Sequence, residues 1–536
     1  MSAQEGGRGN APVARRRFLA GAVALGGLAL ACESGSDNGT RPLESAGRGS
    51  PKPDPPDTDS PFTLGVASGD PRPGGVVLWT RLALEPLNEG GMPPRDLEVE
   101  WEIAEDDGLA KVVARGTKVA SPGYAHSVHV TLDGLRPGAW YWYRFRFGKH
   151  LSPVGRTRTA PTAGARLDRF RLAFASCQDY QTGLYTAYEH MADEDVDLVV
   201  HLGDYIYEYG VRSGDTVRKH EGSAVTDLHG YRNRHALYRS DPHLQRAHAN
   251  FPWMVTWDDH EVANDYAAAA AQDAQGPEGF LTRRAAAYRA YYEHMPLRRS
   301  SLPRGPDMRI YRQAQFGDLV QISMLDTRQY RSDQPCGGAI QPRCAEALSE
   351  SQTMTGPAQE RWLLGNLDKS PARWNVIGQQ TMLGQFKAGE GSGALFNMDA
   401  WDGYAAARAR LLGFMARRKP SNPVVITGDV HSSWVNDLVT NFEDETSHVV
   451  GTELVGPSVS SEMPPPLRLA VEIARADNPH TQFFDGGSHG YVVCDVDRTR
   501  MRSDYRVVSD VRTPGAPVST LASFEIDHGR AGARPG

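Results

Sequence analysis

Two periods divide the chain. Over residues 61–161 apolar and polar positions alternate, whereas over 162–520 short apolar runs alternate with helical stretches. In the first part, Gly75-Val76-Val77-Leu78-Trp79-Thr80-Arg81, Leu97-Glu98-Val99-Glu100-Trp101-Glu102-Ile103 and Ala125-His126-Ser127-Val128-His129-Val130 read as half-buried strands between turns. In the second, the runs at 171–175, 198–202, 253–257, 318–325, 374–378 and 424–427 predict buried strands. Helical patterns at 184–191, 227–250, 356–367 and 399–418 separate them, which indicates a parallel sheet with helices outside. Later strands at 452–455 and 491–493 complete the sheets. The alanine-rich patch at 267–271 predicts a small helical insertion, and residues 521–536 read as a tail. No internal repeat is present.

Within the alternating part, Leu132-Asp133-Gly134-Leu135-Arg136-Pro137-Gly138 precedes Trp140-Tyr141-Trp142-Tyr143-Arg144-Phe145. That pattern resembles a fibronectin- or immunoglobulin-like corner, where a tyrosine near a strand start bonds back to the preceding turn. A β-sandwich without chemistry of its own is therefore expected there.

Composition narrows the function. A net charge of −7, with no block of consecutive basic residues in the mature part, argues against nucleic acid as a dedicated partner. At the N-terminus, Arg15-Arg16-Arg17-Phe18-Leu19 opens an apolar and glycine stretch over 18–31 that is too short to span a bilayer. It resembles a twin-arginine export signal, so residues 1–31 are expected to be removed on export to the periplasm, cell surface or medium. Ala29-Leu30-Ala31 suits cleavage; Cys32 leaves a lipoprotein as a second option. Residues 32–60, rich in Pro, Gly and Ser, read as a linker. In that oxidising setting Cys336 and Cys344, flanking a short Gly- and Pro-containing loop, are expected to pair, and Cys494 to be a buried thiol.

The chemistry lies where apolar runs stop. Val199-Val200-His201-Leu202-Gly203-Asp204-Tyr205-Ile206-Tyr207-Glu208 reads as a buried strand delivering a carboxylate at its carboxyl end, the place where open α/β sheets hold ligands. Similar runs end in Ala175-Ser176-Cys177-Gln178-Asp179, in Thr256-Trp257-Asp258-Asp259-His260-Glu261, and in Thr427-Gly428-Asp429-Val430-His431. One such aspartate is readily a helix cap. Four strand ends carrying hard and borderline metal ligands are not readily four caps.

Phosphate-ester hydrolysis needs charge neutralisation, an activated oxygen nucleophile and help for the leaving oxygen, and adjacent metal ions supply all three. Asp204 is the expected bridge between ions, and Tyr207 can turn its phenol toward the same ion. A thiolate and a phenolate around one ion point to an acidic metal such as ferric iron. Asp259, Asp429 and Asn264 offer oxygen to a harder ion such as calcium. His260 can donate to a phosphate oxygen, and Arg234 or Arg328 can clamp one. Gln379 and Gln380 are further polar positions at a strand end. Asp258 is expected to orient His260. Each has a structural alternative: Tyr207 as an aromatic wall, Asn264 as a turn residue, His431 as a loop anchor.

Taken together, the Ala175-Ser176-Cys177-Gln178, Gly203-Asp204-Tyr205-Ile206-Tyr207-Glu208, Trp257-Asp258-Asp259-His260-Glu261 and Gly428-Asp429-Val430-His431 motifs resemble the alkaline phosphatase D (PhoD) family of binuclear metallophosphoesterases. The resemblance extends over about residues 62–510 and includes Tyr231-Arg232-Asn233-Arg234-His235. It implies a calcineurin-like α/β sandwich preceded by the β-sandwich, and a site of ferric iron with two calcium ions. Cys177, Asp204, Tyr207 and His431 would hold iron, with Asp204 also touching calcium, and Asp259 and Asp429 would lie on the calcium side. The expected function is an exported alkaline phosphatase and phosphodiesterase acting by in-line attack of a metal-activated oxygen nucleophile, with His260, Asp204 and Arg234 catalytic. The chain is expected to be a monomer, meeting membranes only if Cys32 is lipidated or the substrate is a phospholipid. The alternatives are a calcium-dependent phospholipase D and a surface-binding protein with a structural metal site.

Overall fold

A computed structural model describes residues 60–271, 276–444 and 446–536. The export segment at 1–31, and the linker apart from Ser60, lie outside the described residues. Two large sheets face each other. The first has ten strands, in the order Arg534–Pro535, Val518–Asp527, Arg500–Val508, His489–Asp497, Arg169–Ala175, Leu198–His201, Pro252–Val255, Val66–Arg72, Gly75–Arg81 and Ser127–Leu132. The second has seven: Arg312–Phe316, Val320–Met324, Trp374–Gln379, Pro423–Thr427, Val449–Val455, Ser433–Val439 and Thr481–Asp485.

Each sheet is parallel at its centre, where the apolar runs are fully buried. Leu198 pairs with Leu172 and His201 with Ala175, while Val199 pairs with Trp253 on the other side. In the second sheet Val376 pairs with Val424, and Ile426 with Leu454. Phe174, Val200, Leu202 and Met254 of one sheet pack against Met324, Val376, Ile426 and Leu454 of the other, forming a core between them. The outer faces are covered by helices. Val199 and Val255 meet Tyr188 of the Thr186–Met191 helix and Leu244 of the Pro242–Asn250 helix. Ile377 and Val425 meet Leu363 and Leu411, from helices Gly356–Lys369 and Ala405–Arg418. This four-layer arrangement is the expected α/β sandwich, and it directs the carboxyl ends of both sets of parallel strands toward one place.

The N-terminal part packs a five-stranded sheet, containing Leu97–Ala104 and Trp140–Phe147, against Val66, Val76, Leu78 and Val128. Tyr141 makes the expected corner bond, its hydroxyl accepting from the Arg136 N–H at 2.8 Å. The second layer of this sandwich is shared, however. Val66–Arg72 runs parallel to Pro252–Val255, Ser68 opposite Pro252, so three N-terminal strands extend the central sheet. The two parts are continuous through backbone hydrogen bonds, not only through a linker.

Four sequence expectations concern local structure. Cys336 and Cys344 form a disulfide with Cα atoms 5.7 Å apart, and Cys494 is a buried free thiol. Residues 521–536 are not a tail: Phe524 pairs with Ser503 and with Pro535, closing the edge of the first sheet. Nor is the alanine patch helical. Ala267 and Ala270 bond each other across a tight turn, and Ala268 spends its backbone groups on Arg328 and Arg284. Tertiary partners for the backbone outweigh alanine's helix propensity there. Removing the corner hydroxyl by Tyr141→Phe should lower unfolding stability by about 1 kcal/mol, read as a shift in a denaturant melt. An unshifted midpoint would contradict a stabilising role for this corner.

Candidate metal centre and active site

The site is assembled from turns that follow the parallel strands. Cys177 follows Arg169–Ala175, Asp204 follows Leu198–His201, and Asp258, Asp259 and His260 follow Pro252–Val255. From the facing sheet, Asp429 and His431 follow Pro423–Thr427. Cys177, Asp204, Asp429 and His431 all adopt positive φ, at 59°, 55°, 67° and 51°. That conformation costs a side-chain-bearing residue roughly 1–2 kcal/mol, so the turns hold these groups against local preference, as functional sites commonly do. Glycine is needed beside two of them. At Gly203, with φ 115°, a Cβ would stand 2.4 Å from the Asp258 Cβ, and at Gly428 it would stand 2.7 Å from the Ser176 Oγ.

The ligand-type atoms fall into three overlapping groups, each with its atoms within 4.8 Å of one another. Cys177, Asp204 and His431 form one group. Asp204, Asp259 and His260 form a second, and Asp258, Asp259 and Asp429 a third. Asp204 and Asp259 each belong to two groups, as a bridging carboxylate must, and Asp204 is the one of the two grouped with the Cys177 thiol. Tyr207 joins the first: its hydroxyl donates to Asp204 Oδ2 at 2.9 Å and lies 3.0 Å from His431 Nε2. It is not merely an aromatic wall.

Three buried carboxylate oxygens here, Asp204 Oδ1, Asp258 Oδ2 and Asp259 Oδ1, have no hydrogen-bond partner among the described residues. A buried carboxylate oxygen without a hydrogen bond is costly, and these converge, with Asp259 Oδ1 3.6 Å from the Arg328 guanidinium. With a thiol, a phenol and an imidazole beside them, the donor set fits cations: soft and oxygen ligands on one side, oxygen alone on the other. The electrostatics agree. Burial, then the Asp204 charge, pushes the Cys177 thiol well above its ordinary range, and the same causes raise the Tyr207 phenol. Burial raises Asp429 to about 6, with Arg328 opposing and Asp399 and Asp259 adding. Asp258 is also raised by burial, against Arg328, with Asp429, Asp259 and Asp204 reinforcing it. Asp204 is held low instead: burial would raise it, but His260 and His431 prevail. Such a pocket calls for added positive charge.

Other expected residues take different places. Arg328 is fully buried and lies inside the carboxylate cluster: it pairs with Asp258, with Asp399 at 2.7 Å and with Asp429 at 3.0 Å. Asp258 is therefore an ion-pair partner and cluster member, not the residue that orients His260. That task falls to Glu208, whose Oε2 lies 2.7 Å from His260 Nδ1 while Oε1 accepts from the Asn264 N–H at 2.8 Å. Burial lowers the proton affinity of His260, but Glu208, Asp259 and Asp204 together raise it well above the usual imidazole value. Arg234 stands behind the turn, donating to the backbone carbonyls of Tyr207 and, at 2.6 Å, Tyr209. The Asn264 side-chain oxygen accepts from the Tyr209 hydroxyl at 2.9 Å. Gln379 and Gln380 tie strand ends together through Thr427, Trp401, Thr327 and Thr256.

Sequence reasoning missed three supports. Glu208 was visible only as part of a motif. Glu261 accepts the backbone N–H groups of Asp204, Tyr205 and Asp258 at 3.1, 2.6 and 2.8 Å, holding two turns in register. Asp399, just beyond the strand Leu395–Asn397, pairs with Arg328 and Arg331. The four-residue offset from Asp204 to Glu208, and the adjacency of Glu261 to His260, were the available signals.

Comparison with known proteins places this geometry. The PhoD-like phosphatase family matches residues 172–505, and the PhoD-like phosphatase N-terminal domain matches residues 48–161. Alkaline phosphatase D of Bacillus subtilis (strain 168) is 48% identical over 525 residues, covering 97% of this chain and 88% of that protein. A solved structure of PhoD superposes with a TM-score of 0.86 at 48% identity, over 90% of this chain and 93% of its own. The purple acid phosphatase PPD1 of yellow lupin seeds shares the fold, with a TM-score of 0.54 at 14% identity, over 86% of this chain and 74% of its own. Both parts of the chain are thus accounted for: it belongs to the PhoD-like phosphatase family, and it is a phosphatase built on a metallophosphoesterase fold.

Proposed function

We propose that this chain is an alkaline phosphatase of phosphate monoesters and diesters, exported by the twin-arginine route, that works with ferric iron and two calcium ions. The observation that carries the metal reading is the position of Asp204, which joins the Cys177–His431 group to the Asp259–His260 group and has a buried oxygen without a hydrogen bond. Cys177, Asp204, Tyr207 and His431 would hold the iron, and Asp204, Asp259 and Asp429 would serve the calcium side. Bound there, the cations would neutralise phosphate oxygens and acidify a water.

Around them the chain's own residues have distinct tasks. With Nδ1 committed to Glu208, His260 is left with Nε2 to donate to a phosphate oxygen or to the departing ester oxygen. The buried Glu208 favours the proton-bearing imidazole, so that proton is available where negative charge develops. Arg328 offsets part of the repulsion among Asp258, Asp399 and Asp429, holding them together before substrate arrives. Arg234 fastens the carbonyls on either side of Glu208 and acts on substrate only through that turn.

Asp204→Asn removes the shared charge while keeping the shape. It should lower kcat/KM for a chromogenic phosphomonoester at least about a thousandfold, roughly 4 kcal/mol of transition-state stabilisation, with the circular dichroism spectrum unchanged. Turnover within tenfold of the parent would refute the bridging assignment. In the same assays, choline release from phosphatidylcholine without phosphate release from monoesters would move the activity to a phospholipase D.

Glu208→Gln offers one carbonyl oxygen where the carboxylate serves two N–H groups. The expected result is a fall in kcat of about tenfold to a hundredfold, with KM changed less. An unchanged kcat would remove His260 from proton donation, or Glu208 from holding it.

A further inference from the structure

Beyond the strand Val449–Val455 the chain passes through Gly456-Pro457-Ser458-Val459-Ser460-Ser461 and lies along the Cys177 turn. Ser458 bridges to Ser176, and the Val459 N–H donates to the Ser176 carbonyl at 3.0 Å. The Cys177 carbonyl accepts the N–H groups of Ser460 and Ser461 at 3.3 and 3.2 Å. Backbone pairing thus docks this loop whatever its side chains are.

The Ser461 side chain adds something the backbone does not. Its hydroxyl is buried and has three partners: the Cys177 carbonyl at 2.9 Å, the Tyr207 hydroxyl at 2.7 Å and the Asp179 N–H at 3.2 Å. A hydroxyl offers one hydrogen and two lone pairs: one lone pair takes the Asp179 N–H, and because the Tyr207 hydrogen goes to Asp204, the single Ser461 hydrogen serves either the Tyr207 oxygen or the Cys177 carbonyl, which lie equally within its reach. Two of the partners belong to residues 177 and 207, which arrive from different strand ends and whose side chains converge on Asp204. The neighbouring Ser460 makes a useful contrast. Its hydroxyl donates to the Asp179 carbonyl at 2.8 Å and touches neither residue.

We propose that Ser461 is a positioning residue of the phosphatase site, holding the Cys177 turn and the Tyr207 phenol in the one register that lets both face the same cation. The proposal rests on the reading that these two side chains share an ion. Without the hydroxyl, the phenol oxygen keeps only Asp204 and His431 as partners, and the Asp179 N–H loses its acceptor.

The test uses the full chain loaded with ferric iron and calcium. It compares Ser461→Ala, Ser461→Thr and Ser460→Ala for visible thiolate- or phenolate-to-iron absorption, iron retained after dialysis, thermal melt, and kcat and KM on a chromogenic phosphomonoester. Ser461→Ala should shift the band, lower iron retention about tenfold and lower kcat with KM within twofold. Ser461→Thr, which restores the hydroxyl, should recover most of each, and Ser460→Ala should match the parent. A parental spectrum and retention in Ser461→Ala would overturn the proposal, as would equal losses in Ser460→Ala. Should Ser461→Ala fail to fold, Ser461→Cys keeps the volume with a much weaker hydrogen-bonding group; the same shift is expected, and its absence overturns the proposal. A parent with no visible band refutes the iron assignment instead, and retention of whichever metal the parent binds then decides Ser461.

Discussion

Carboxylates crowded into one pocket repel each other, and this molecule's design answers that repulsion. Asp204, Asp258, Asp259, Asp399 and Asp429 lie close to Arg328, Arg331 and His260, and the carboxyl groups outnumber the cations among them. Two like charges 4 Å apart cost about 4 kcal/mol even at an effective dielectric of 20, far more than a turn or a cap returns. The cluster is stable only if protons or cations enter it. Protons would make it inert, whereas cations turn the same crowding into a phosphate-binding centre, with local positive charge on a protein that is acidic overall.

The rest of the architecture is what holds such a cluster in place. Parallel strands deliver Cys177, Asp204 and Asp259 from one sheet, and Asp429 and His431 from the other, at ends that the shared core prevents from separating. Left-handed turns then aim the side chains, at an energetic cost that burial of the strands offsets. Glu261 satisfies the backbone donors of Asp204, Tyr205 and Asp258 and so fixes two of these turns against each other. The shared layer of the N-terminal sandwich extends the same sheet, tying its outermost strands to the one that precedes Asp258.

Much of this was legible in the sequence because it is local. An apolar run ending in Gly203-Asp204 or Gly428-Asp429 announces a strand and a carboxylate together, and Tyr141 announces its corner. What escaped depends on distant partners. Arg328 is 70 residues from Asp258 and 101 from Asp429, so nothing near it distinguished a buried counter-charge from a phosphate clamp. Arg234 has helical neighbours that leave its reach to the Tyr207 carbonyl undetermined. Ser461, 254 residues from Tyr207, is one serine among many. The closing strand Val518–Asp527 alternates weakly, with several exposed positions, because it lies near a sheet edge.

The most direct measurement is metal content set against turnover in one preparation of freshly purified protein. Stoichiometric iron together with calcium, and phosphate release that vanishes on their removal and returns on their replacement, is the predicted result. Full phosphatase activity in protein holding less than about a tenth of an equivalent of any metal would contradict the account, because the buried carboxylates would then have no counter-charge with which to bind a phosphate ester.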